Sequence, residues 1–245
     1  MKTLIIIPSR LSATRLPGKP LLKINGLSII SHVVNKAKKA NIGEVLVAAE
    51  DQEIIDDVKK IGAQAVLTSN EHKTGTDRIY EAVKKLDRPD IDLIMNLQGD
   101  EPLMNIEDIQ NLNNQMIKTK SKLGTLASRI LNKNYYKNQN IVKVKTKESL
   151  YESKFSEAVS FMRKSSDTSD NIYHHLGIYC YQLETLKDFV SHKQSLNERE
   201  NKLEQLRALD NNIKINVALA KSSPLGVDTE EDFVAIKKIM EYKSG

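Results

Sequence analysis

Two rhythms of apolar residues run along the chain. Short unbroken runs, such as Leu4-Ile5-Ile6-Ile7 and Leu93-Ile94-Met95, alternate with stretches in which apolar positions recur every three or four residues. The runs predict strands buried on both faces, and the wider spacing predicts helices with one buried face. Over the first half the strands are Lys2–Ile7, Glu44–Ala49, Gln64–Thr68 and Asp92–Gln98. The helices between them are Ile29–Ala40, Gln52–Ile61 and Asp77–Leu86. Such alternation with short connections predicts an α/β fold, a doubly wound, mostly parallel sheet joined by right-handed crossovers.

The second half is less regular. Leu123–Ile130, Ile141–Lys145, Glu157–Arg163, His174–Tyr181 and Lys214–Ala220 read as strands, while Arg199–Asp210 and Thr229–Tyr242 read as helices. The polar Lys164–Asn171 reads as a mobile loop. With neither repeats nor a clean linker, the pattern predicts a single domain. A smaller, partly antiparallel lobe begins after about residue 125.

Composition narrows the class. At 245 residues the chain can bury a sizeable core without staples. Its 37 basic and 32 acidic residues leave a net charge of +5, a balance open to nucleic acid. However, much of the excess is lysine scattered over helix faces, Trp is absent, and no base-stacking motif occurs. The single cysteine, Cys180, excludes an internal disulfide and a multi-cysteine zinc site. Its strand-like neighbours predict a buried structural thiol. No apolar run approaches membrane-spanning length, and no leader pattern opens the chain, so the expected location is cytoplasmic, with no membrane insertion.

Candidate chemistry gathers at predicted strand ends. After the first strand, Pro8 and Ser9 lead into a loop carrying Arg10, Arg15 and Lys19 with a Pro17-Gly18 turn. No acidic side chain precedes Glu44. A cationic loop at the carboxyl end of a buried strand suits phosphate. His72-Lys73-Thr74-Gly75-Thr76-Asp77-Arg78 precedes a helix, with Thr76 or Asp77 as its cap. Gln98-Gly99-Asp100-Glu101 follows the most apolar strand and reads either as a turn or as a Mg²⁺ carboxylate site. Asp228 is either the cap of the last helix or a second metal ligand. His175 reads by itself as a packing residue, and Glu204 and Arg207 as a helix pair.

Taken in order, S-R-x-x-A-T-R-L-P-G-K-P-L, H-x-T-G-T-D-R, N-x-Q-G-D-E-P, H-L-G-I-Y-x-Y, L-E-Q-L-R and G-V-D-T-E-E-D resemble the 3-deoxy-manno-octulosonate (Kdo) cytidylyltransferase family. The resemblance runs from the first strand to the last helix. It implies a nucleotide-diphospho-sugar-transferase fold that moves CMP from CTP to the anomeric hydroxyl of Kdo. Pyrophosphate is released, and the product feeds lipopolysaccharide synthesis. It further implies a nucleotide-binding half over about 1–125, a sugar-binding and dimerisation lobe over about 126–220, a closing segment over 221–245, and a homodimer. By motif match, Arg10, Arg15 and Lys19 hold the triphosphate, and Asp100 and Asp228 bind Mg²⁺. Thr74, Gly75, Thr76, Arg78 and Gln98, with the backbone near Pro8 and Ser9, hold cytidine. Arg163, His175, Tyr179, Glu204 and Gln205 line the sugar-acid pocket. Arg10, Lys19, Asp100 and Asp228 are the residues expected to carry catalysis.

The chain departs from the family pattern at Ser9 and Leu11 in the first loop. The larger departures, Met162, Ser165, Ser166, His174 and Asn201, all fall on the sugar side. They keep open an acceptor related to Kdo, such as 8-amino-Kdo or sialic acid. A basic nucleic-acid-binding protein is the alternative from another class, but it leaves Asp100 and Asp228 without a purpose, because carboxylates repel phosphate.

Overall fold

The computed structural model describes residues 1–12 and 15–242; Ala13 and Thr14, the A-T of the first motif, lie outside the described residues. Along the chain the first elements are β1 (Thr3–Ser9), β2 (Lys23–Ile24), β3 (Leu27–Ser28), α1 (Ile29–Ala40), β4 (Gly43–Ala49), α2 (Gln52–Lys59), β5 (Gln64–Leu67), α3 (Gly75–Leu86) and β6 (Leu93–Asn96). There follow α4 (Ile106–Thr119), β7 (Leu123–Ser128), β8 (Lys143–Thr146), β9 (Phe155–Met162) and β10 (Ile172–Gln182). The last are α5 (Leu183–Ser191), α6 (Leu196–Asn201), α7 (Leu206–Asp210), β11 (Asn216–Leu219) and α8 (Glu230–Tyr242).

Residues Lys2–Ile91, Asn96–Ile109 and Pro224–Gly245 form one unit. In it β1 is buried at every position, and it pairs in parallel with β4, from Thr3 opposite Gly43 to Ser9 opposite Ala49. β4 pairs in parallel with β5. The helices have physical starts and stops. Ser28 Oγ accepts the Ser31 N–H at 3.1 Å to cap α1, and Asn41, at φ 51°, ends it. Between those ends Ile29, Ile30, Val33, Val34 and Ala37 form the buried face. A smaller apolar cluster unites Ile24, Ile29, Val227 and Ile236, so α8 is anchored beside the β2–β3 hairpin.

Met1, Asp92–Met95 and Gln110–Ser223 form the other unit. β10 runs antiparallel to β7 and β8, β9 antiparallel to β8 and β11, and β11 parallel to β7. The register of β10 against β7 shifts between Leu176 and Tyr179. The α/β architecture with parallel and partly antiparallel strands agrees with the expectation from the pattern.

Several elements differ from their expected form. α4 and α5 were not expected at all. The single helix expected over Arg199–Asp210 is two short ones, α6 and α7. They are separated where Lys202 takes a left-handed φ of 53°. Arg207 pairs with Glu198, Nε to Oε2 at 2.8 Å and an Nη to Oε1 at 2.6 Å, with both side chains 3% exposed. The expected mobile loop is knitted to its surroundings. Ser165 N–H donates to Tyr136 O at 2.9 Å, and Lys145 pairs with Asp167 at 2.9 Å. Cys180 is buried, as expected, and burial pushes its thiol far above the ordinary value.

Glu198→Gln would remove the buried carboxylate charge that the Arg207 guanidinium meets. The expected loss is about 3 kcal/mol of unfolding free energy, read by urea denaturation. A loss below about 1 kcal/mol would show that the pair contributes little beyond its packing.

Candidate active site

The carboxyl end of β1 turns into the cationic loop, and that loop is fixed by acids just after β4. Leu11 N–H donates to Asp51 Oδ2 at 2.7 Å, and Ser12 Oγ to Glu50 Oε1 at 2.9 Å. Gly18, at φ 72°, closes the turn and starts a short 3-10 segment over Lys19–Leu21. The segment after β6 comes close to β1: a Cβ on Gly99 would sit 3.0 Å from Pro8 O. A side chain at this position would press on that backbone oxygen and on Ile30, so glycine gives the close approach without displacing either.

A cavity of about 350 Å³ opens at this point. Its lining includes Pro8, Ser9, Arg10, Arg15 and Lys19 from β1 and the loop, and Thr74, Gly75 and Arg78 from the start of α3. Gln98, Asp100 and Asp228 complete the expected group, and His72, Leu16, Pro20 and Gly99 line it too. Thr76 is buried in the first turn of α3 and is not part of the lining.

The charged groups converge on one ammonium. Lys19 Nζ hydrogen-bonds Asp100 Oδ2, donates to Val227 O at 2.8 Å, and lies 3.3 Å from Asp228 Oδ1. Arg15 meets the other oxygen of Asp228 at 3.0 Å. Burial alone would lower the Lys19 pKa, but the two carboxylates outweigh it and raise the value. Asp228 does not cap α8. Thr229 Oγ1 accepts the Asp232 N–H at 3.2 Å, and Asp232 Oδ2 accepts the N–H of Asp228 and Thr229 at 3.2 and 3.0 Å. That reciprocal cap leaves the Asp228 carboxylate to the cations. Glu101, next to Asp100, is pushed up to about 8 by burial and then by Asp100 and Asp228, against the pull of Lys19. Its Oε2 is buried with no hydrogen-bond partner.

Two other expected nucleotide residues have their polar atoms engaged within the fold. Arg78 Nη1 donates to Thr68 Oγ1 at 2.7 Å and Ser69 O at 3.2 Å, and its other Nη pairs with Glu50. Thr74, not Thr76 or Asp77, caps α3: its Oγ1 accepts the Asp77 N–H at 3.2 Å and donates to Asp77 Oδ2 at 2.8 Å. Ser9 is different, because its buried hydroxyl lines the cavity with no partner.

The expected sugar-side residues lie in the other unit. His175 Nε2 is 3.1 Å from Thr125 Oγ1, which donates its proton to Ile178 O at 2.7 Å, so Nε2–H is the donor to Thr125. Burial, and then the neighbouring His174, lower His175 to about 3. Its ring centre is 5.0 Å from that of Phe161 and 5.5 Å from that of Tyr179. Burial likewise holds the Tyr179 hydroxyl well above the usual phenol range. Arg163 donates to the carbonyls of Asn201, Gln139 and Lys202 at 2.7, 3.1 and 2.8 Å. Glu204 and Gln205 sit between α6 and α7, and Gln205 is buried.

Comparison with known proteins identifies the family and the fold. The cytidylyltransferase family profile matches residues 4–215. A 3-deoxy-manno-octulosonate cytidylyltransferase of Thermodesulfovibrio yellowstonii is 41% identical, with both chains covered in full. That of Bartonella tribocorum is 38% identical over 98% of this chain and 99% of its own. The solved structure of a CMP:2-keto-3-deoxy-manno-octonic acid synthetase with CTP superposes with a TM-score of 0.89 at 31% identity, covering 99% and 100% of the two chains. UDP-glucose pyrophosphorylase, at 12% identity and a TM-score of 0.72, shares the fold.

His175 enters the folded state neutral, its pKa depressed from 6.5 to about 3. Its contribution is therefore complete above pH 6.5 and falls as pH drops through that value toward 3. At pH 5 the expected cost is about 2 kcal/mol relative to pH 8. His175→Phe should flatten that part of the pH–stability curve measured by thermal unfolding; an unchanged slope would remove His175 as its source.

Proposed function

Because the chain belongs to the Kdo cytidylyltransferase family, we propose that it transfers CMP from CTP to the anomeric hydroxyl of Kdo, giving CMP-Kdo and pyrophosphate. The observation that carries this reading is the meeting of Lys19 with Asp100 and Asp228 in the lining of a cavity that Arg10 and Arg15 also line. Arg10, Arg15 and Lys19 supply the charge a triphosphate requires, and arginine's planar fork matches phosphate oxygens. The Ser9 hydroxyl offers a polar contact that the protein leaves unused.

The residues also suit a divalent cation. Asp100 and Asp228 already converge on a positive charge, and the buried Glu101 Oε2 beside them lacks a partner. Among the described residues no group of three or more His, Cys, Asp or Glu side chains completes a metal set. Phosphate and water would fill the remaining positions. Mg²⁺ held by Asp100 and Asp228 would neutralise charge growing on the leaving pyrophosphate.

In the reaction the acceptor oxygen bonds to the α-phosphorus as the bond to pyrophosphate breaks, and the hydroxyl proton passes to solvent or base. Positioning by the loop and charge stabilisation by Arg10 and Lys19 are the protein's contributions. Lys19, counter-charge to both carboxylates, would exchange partners when phosphate arrives. Thr74, Gly75, Thr76, Arg78 and Gln98 are assigned to the nucleoside, with Arg78 shaping the wall and its guanidinium holding Glu50. Arg163, His175, Tyr179, Glu204 and Gln205 are assigned to the sugar acid. Arg163 would meet its carboxylate by exchanging one of three carbonyls.

Further proposals follow from this activity. A CTP-consuming reaction fits the cytoplasm, and no described helix is long and apolar enough to cross a membrane. Two copies would pair through the unit containing Gln110–Ser223, where Leu131, Tyr151 and Val159 are exposed; light scattering should report twice the chain mass.

Asp100→Ala is expected to reduce CTP- and Kdo-dependent pyrophosphate release by about 100-fold or more, with unchanged circular dichroism. Full activity in that variant would remove the metal assignment. Kdo is expected to exceed 8-amino-Kdo and sialic acid as acceptor in the same assay, and the reverse order would reassign the acceptor.

A further inference from the structure

The cavity lining combines two chemistries. Arg10, Arg15, Lys19, Asp100 and Asp228 are charged, whereas Thr74, Gln98 and His72 are polar groups suited to a base. His72 has no role in the reading above. Its Nε2 is hydrogen-bonded to Glu81 Oε2. The same oxygen accepts the Ser69 N–H at 2.9 Å, and Oε1 lies 2.8 Å from Lys85 Nζ.

Burial would raise the Glu81 pKa, but hydrogen bonds from Lys85, His72 and Ser69 bring it down to about 2. Glu81 is thus an anion that only accepts. Nε2 must carry the proton, and in the neutral ring Nδ1 is left as an acceptor. No described protein group engages Nδ1. The His72 side chain keeps 22% of its surface exposed, at the cavity wall. By contrast, the Arg78 guanidinium and Thr74 hydroxyl are engaged within the fold.

We propose that His72, oriented by Glu81, is a base-specificity residue whose Nδ1 accepts a hydrogen bond from the exocyclic amino group of the nucleotide. Cytosine presents an N–H donor at the position where uracil presents a carbonyl oxygen. Against an imidazole lone pair, the carbonyl places two acceptors face to face, so a keto-pyrimidine is rejected as well as less well held. Glu81 acts at one remove, as the positioning residue that fixes the tautomer. This inference rests on the CTP reading and deepens it.

The test compares kcat/KM for CTP and UTP, with Kdo as acceptor, in the wild type and in His72→Phe, His72→Gln and Glu81→Leu. His72→Phe keeps a ring and loses the acceptor. It should lower the CTP/UTP ratio about tenfold, mainly through CTP. His72→Gln, with an amide oxygen able to accept, should recover part of the ratio. Glu81→Leu should lower the ratio too and shift the His72 ¹⁵N resonances away from the Nε2–H tautomer that the wild type shows. An equal fall for both nucleotides, an unchanged ratio, or an Nδ1–H or imidazolium form in the wild type would overturn the inference. A wild type that uses UTP as well as CTP would instead overturn the nucleotide reading itself.

Discussion

One ammonium joins chain segments that are more than 200 residues apart. Lys19 Nζ bonds to Asp100, Asp228 and the Val227 carbonyl. A backbone bond from Val227 N–H to Asp100 O at 2.8 Å ties the two acidic segments to each other. Beneath this polar contact the Val227 side chain is buried with Ile24, Ile29 and Ile236. The apolar cluster fixes where the carboxylates lie, and the ammonium keeps two like charges together that would otherwise repel. Without Lys19 the site would hold two partly buried carboxylates, with Arg15 still paired to Asp228 but not to Asp100, so its geometry depends on a positive charge being present.

The regular part of the fold was legible because its physics is local. Short apolar runs and three-to-four spacing marked β1, β4, β5, β6, α1, α2 and α3. The elements that escaped notice lacked those cues. In α4 the buried Ile109, Leu112 and Met116 keep helical spacing, yet asparagine, glutamine and charged residues between them dilute the contrast. The break between α6 and α7 depends on a lysine taking a left-handed backbone, and a lysine, unlike a glycine, gives no warning of it.

Much of the candidate site was legible for a different reason. Arg10, Arg15, Lys19, Asp100 and Asp228 are charged residues placed at strand and helix ends, where a parallel sheet gathers its ligand groups. What the residues could not reveal is which polar atoms the fold itself engages. Arg78 reads as a ligand cation in isolation, and only the structure shows Glu50, Thr68 and Ser69 around its guanidinium. Asp228 was ambiguous between cap and site until the Thr229–Asp232 pair took over the cap. Glu50 and Asp51, which fix the cationic loop, look on the page like an unremarkable acidic pair after a strand.

Lys143 and Arg163 present a different balance. The Lys143 ammonium donates to the carbonyls of Asn138, Ile141 and Arg163 at 2.7, 2.6 and 2.5 Å, while Arg163 itself faces three more carbonyls. Carbonyl dipoles solvate a cation without cancelling it. Neighbouring cations held in this way stabilise the polypeptide oxygens around them yet leave a local excess of positive potential. An anion approaching that stretch of backbone would therefore enter a field already in place, with no side chain having to be recruited to create it.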